Sequence, residues 1–124
     1  MIETVVSHQH NLTLYKCYGD LKEAEIHSII QPYYTEEATP NLLWDFSEAS
    51  LSSISSLFVR QIASKMREIL SVREKGKIAV VAPKDLEYGM ARMFQMLSDE
   101  RRFPFNVKVF RYVGEACQWL FLEE

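Results

Sequence analysis

The chain has 124 residues, 48% of them hydrophobic and 25% charged, the composition of one globular domain able to bury a core without metal or disulfides. Its 14 Lys and Arg against 17 Asp and Glu leave a net charge of −3, with no basic block beyond Arg101-Arg102, so the row of cations that a nucleic-acid surface needs is missing. No apolar run reaches membrane-spanning length, and the first residues lack a signal peptide's basic-then-apolar pattern.

Cys17 and Cys117 lie in apolar contexts with neither metal-ligand nor disulfide spacing, and read as small buried hydrophobes of a reducing, cytoplasmic compartment. Residues 2–6 and 12–18 are β-rich runs separated by Ser7-His8-Gln9-His10-Asn11, a hairpin whose histidines are polar turn residues. Gly19 breaks the second strand, and Asp20 with Glu23 is expected to cap a helix. Ile26, Ile29, Ile30 and Tyr33 form that helix's buried stripe, which ends near Tyr34. The polar stretch 35–40 is the expected mobile loop, and residues 41–46 the third strand.

Ser50, Ser52 and Ser53 are each competent N-caps for a long helix. Ile54, Leu57, Phe58, Ile62, Met66, Ile69 and Leu70 form its apolar face, and Gly76 closes it after Lys75. Residues 77–82 are too short for a helix and apolar after Lys77, as a strand covered on both faces reads. A third helix follows from Asp85, itself the expected cap, with Leu86, Met90, Met93, Phe94 and Leu97 inward. Gly89 and Ala91 are small enough for close approach. Residues 105–110 alternate as a fifth strand, and residues 113–121 form a last helix with Val113, Ala116, Cys117, Leu120 and Phe121 inward. The order ββαβαβαβα predicts an α/β domain. Its five-stranded mixed sheet starts with a hairpin and continues with parallel strands joined by right-handed crossovers, alongside four helices.

Ligands of open parallel sheets bind beyond the carboxyl ends of the strands. That edge gathers Asp45 and Ser47, Pro83 and Lys84, and Arg111, with Tyr88, Arg92 and Met93 on the adjoining helix. Lys84 at a helix N-terminus, joined by Arg111, suits an anion. Met90, Met93 and Met96 with Phe94 and Tyr88 suit an apolar molecule, because thioethers adapt to irregular shapes. No glycine-rich phosphate loop and no Gly-x-Ser-x-Gly elbow is present.

Leu42-Leu43-Trp44-Asp45-Phe46-Ser47-Glu48-Ala49, residues 76–83, Tyr88-Gly89-Met90-Ala91-Arg92-Met93-Phe94, and Val107–Arg111 followed by Glu115–Leu120 resemble a family of small bacterial proteins. These are the STAS-type, stage II sporulation protein AA-like proteins, which share a fold with CRAL-TRIO lipid-binding domains. The resemblance implies a single STAS-like domain over residues 1–124. Better-understood STAS proteins carry a phosphorylated serine in a turn after the third strand. That position falls here on Ile54, which has no hydroxyl.

The expected function is a binding or regulatory module, without cofactor or metal, that takes a protein partner or a small apolar or anionic ligand at the strand-end edge. The alternative is a small enzyme with Asp45 as acid or base, aided by Tyr88 or Arg111, on an anionic substrate. A third reading is a homodimer anchored by Trp119 and the Tyr33-Tyr34 pair.

Overall fold

The computed structural model describes residues 1–36, 39–70, 76–103 and 106–121, with residues 31–36, 69 and 70 described in backbone only. The elements run β1 (Ile2–Ser7), β2 (Leu12–Asp20), α1 (Glu23–Glu36), β3 (Asn41–Ser50), α2 (Ser56–Leu70), β4 (Lys77–Val81), α3 (Asp85–Glu100), β5 (Asn106–Phe110) and α4 (Val113–Leu120). The sheet order is β1-β2-β3-β4-β5, antiparallel in the β1–β2 hairpin and parallel thereafter. The fold is therefore α/β with the predicted order. The apolar run at residues 77–82 supplies a strand hydrogen-bonded on both sides and buried along nearly all its length.

Sequential parallel strands joined by crossovers of one hand put the connecting helices on one face. Leu42, Trp44, Phe46, Ile78, Val80, Val107 and Val109 accordingly form the larger core, together with side chains of α1, α2 and α3. The alternate residues Leu43, Ala79 and Val81 meet Ala116 and Leu120 of α4 on the other face.

Several local expectations are corrected. β2 continues through Gly19, which adopts φ 71°, to Asp20. β3 runs on to Ser50, because a one-residue bulge lets three steps from Asp45 to Glu48 match two from Lys16 to Tyr18. Asp20 and Glu23 are thus not a capping pair for α1. Lys22 precedes that helix, and its amide donates to Glu25 Oε1 at 3.0 Å. Of the serines, it is Ser55 that caps α2, accepting the Phe58 amide at 3.1 Å.

α3 is rotated from the expected phase, with Glu87, Ala91 and Ser98 buried and Leu86 51% exposed. Its N-cap is Lys84, without a side-chain cap bond, rather than Asp85. Gly89 has nothing within 4 Å of an added Cβ, so the close approach expected there is absent, while Gly76 packs directly on the Pro40 carbonyl. Val113 and Phe121 are exposed rather than inward. Thr39, at the end of the expected mobile loop, is buried and hydrogen-bonds Thr13 Oγ1 at 2.9 Å. The side chains of Tyr33, Tyr34, Ile69 and Leu70, residues 37–38, the helix end at Lys75, and Phe105 lie outside the described residues. Among the described residues, no helix is long and apolar enough to cross a membrane.

Candidate functional site

Between the sheet and α1–α3 lies a cavity of about 100 Å³. Its floor is Trp44 and Phe46 of β3 with Ile78 and Val80 of β4, side chains that alternate onto this face. Ile26 and Ile30 of α1, Phe58, Ile62 and Met66 of α2, and Met90, Ala91 and Phe94 of α3 form the walls. Trp44 is held by stacking on Tyr15, centroids 4.3 Å apart, and lies 6.1 Å from Phe46. Among the described residues the lining is almost wholly apolar and includes no ionisable side chain, which suits an uncharged guest.

A further wall is the turn between β3 and α2, whose Leu51 and Ile54 side chains reach the cavity. Three carboxylates from three elements grip this turn. Glu87 of α3, buried with 4% exposure, accepts the Leu51 amide at 3.0 Å. Glu23 of α1 accepts both the Ser55 amide at 2.9 Å and its hydroxyl at 3.0 Å. Asp20, ending β2, accepts the Ser53 hydroxyl at 3.0 Å and pairs with Lys22 Nζ at 2.8 Å. The Lys22 ammonium and then the Ser53 hydroxyl hold the Asp20 carboxyl below its ordinary pKa, and Asp20 raises that of Lys22 in return.

The eight residues singled out from the sequence lie elsewhere, and none of them lines the cavity. Asp45 alternates with Trp44 and Phe46 and so sits on the α4 face, where its Oδ1 accepts the Ser47 amide at 2.9 Å and hydroxyl at 2.5 Å. The structure does bring three others, Pro83, Tyr88 and Arg111, together with Asp85. Arg111 donates to the Pro83 carbonyl at 2.9 Å and to Asp85 at 2.8 Å, and its guanidinium lies 4.0 Å from the Tyr88 ring centroid. Tyr88 therefore packs under Arg111, while Arg92 and Lys84 are exposed. Met93 is half-buried outside the cavity, and Met96 is 64% exposed.

Trp119, expected as a dimer anchor, is engaged within the chain. It lies 5.7 Å from Phe110, and its carbonyl accepts from Lys77 Nζ at 2.8 Å. Of the methionine-stripe residues, Met90 and Phe94 do reach the cavity. Sequence reasoning missed the turn's three carboxylates, since a carboxylate near a helix start reads as a local cap and nothing local points to a partner over thirty residues away.

No protein-family model matches the sequence, and no curated protein does. Function has to be read from the chain's own geometry.

Proposed function

We propose that this protein is a non-catalytic binding module that takes a small apolar molecule into the cavity between its sheet and α1–α3. The observation that carries the reading is the almost wholly apolar lining, among the described residues, of a cavity of about 100 Å³. A void of that size leaves on the order of 2 kcal/mol of packing unrealised, which an apolar guest recovers. Apolar cavities only somewhat larger stay dry and bind benzene. The resemblance to STAS-type proteins supports the reading from a second direction, because that fold is shared with lipid-binding domains.

Benzene titrated into the labelled protein tests this by NMR. The expected result is saturable shifts at the Ile54, Ile62 and Met90 methyls, lost when Ala91→Met fills the space. Unmoved methyls at saturating benzene would overturn the proposal. Native mass spectrometry of protein taken from cells should in addition show a retained apolar molecule.

A protein partner at the strand-end edge is the second reading, favoured by Leu57 and Leu86. These are 63% and 51% exposed, each the second residue of a helix that begins at that edge. A pull-down is expected to recover one stoichiometric protein, lost with Leu86→Ser. An unchanged set of recovered proteins would count against this surface.

A further inference from the structure

We infer that the turn Leu51–Ser55 is the gate of the apolar cavity, anchored by Glu87 and latched by Asp20 and Glu23. This rests on the reading of the cavity as a ligand site. Among the described residues that line it, Leu51 and Ile54 alone lie outside regular helix or strand. The other described lining residues sit in helices or strands held by regular backbone hydrogen bonds and side-chain packing, so this short turn is the wall that opens at least cost.

The three grips on the turn differ in kind. Glu87 is buried and holds the main chain at Leu51, next to the end of β3, as an anchor does. Asp20 and Glu23 hold the exposed residues Ser53 and Ser55, where water can replace each bond as it breaks. Ile54 sits between those two latched serines with its side chain against the cavity. Releasing the latches therefore lifts Ile54 first while Leu51 stays tethered. A guest larger than about 100 Å³ also gains room on this side without any shift of the sheet.

The test reads the entry and exit rates of benzene by exchange NMR on the full chain. Asp20→Ala combined with Glu23→Ala should raise both rates by roughly tenfold with affinity unchanged, because a gate alters the path and not the bound state. In a Cys117→Ser background, Asp20→Cys with Ser53→Cys joins two side chains whose ends touch. Its oxidised form should slow both rates, and reduction should restore them in the same molecules. Rates that ignore both the latch variants and the redox state, while benzene still binds, would overturn the gate and leave the cavity reading intact. Absence of benzene binding in every form would overturn the cavity reading and the gate with it.

Discussion

Glu87 on α3 accepts the main-chain amide of Leu51, 36 residues earlier, at 3.0 Å, and this bond ties the roof of the cavity to one of its walls. It also explains the rotation of α3. Turning Glu87 inward carries Ala91 and Ser98 with it and leaves Leu86 in solvent. Glu87→Ala would strand a buried donor, so a loss of about 1–3 kcal/mol in urea unfolding is expected. Glu87→Gln keeps an acceptor and should lose less than half as much. Equal losses for the two variants would mean that the bond to Leu51 is not what matters.

Two glycines should respond in opposite directions. An added Cβ at Gly76 would lie 1.7 Å from the Pro40 carbonyl oxygen, which belongs to the backbone and cannot rotate away. Gly76→Ala should therefore destabilise by about 3 kcal/mol or more. Gly89 is inside α3 with open space around it, so Gly89→Ala should stabilise by about 0.5–1 kcal/mol. Thermal unfolding of the pair checks both signs at once.

The two thiols should be distinguishable without any mutation. Cys17 is fully buried in β2, and burial pushes its pKa up to about 12, whereas Cys117 is only half-buried. Because the thiolate is the reactive form, iodoacetamide at neutral pH should modify Cys117 first. Cys17 should react only once the protein is denatured, and peptide mapping before and after unfolding reads the order.

Acid should loosen the cavity's roof. The folded-state pKa of Asp20 lies below the ordinary 3.8, chiefly through the bond from Lys22. That of Glu25 lies below 4.5, chiefly through the Lys22 amide. A depressed carboxylate contributes stability that is present above its unfolded pKa and is lost as pH falls through its folded pKa. Unfolding free energy should thus drop as pH falls below about 4.5, and Asp20→Asn should flatten that limb. A limb of unchanged slope in Asp20→Asn would remove Asp20 from this account.

The strand at residues 77–81 was legible because a short apolar run has only one stable environment, the interior of a sheet covered on both faces. The hairpin and the three crossovers followed from the spacing of apolar residues, so the order of elements needed no tertiary information. Helix phase was less secure. Leu86 and Ala91 both lie at plausible inward positions of α3, and hydrophobicity favours the leucine, yet one long-range bond to Glu87 settles the matter the other way.

The site divides along the same line. Composition and periodicity, being local, determined that this chain makes a layered α/β domain, and they placed Met90 and Phe94 on an apolar surface. Only the tertiary structure decided that Asp45 faces α4, that Arg111 is already held by Asp85, and that Asp20, Glu23 and Glu87 converge on one turn. Those facts depend on a bulge in β3 and on which residues distant in the chain become neighbours, and hydrogen bonds between them leave no periodic trace in the sequence.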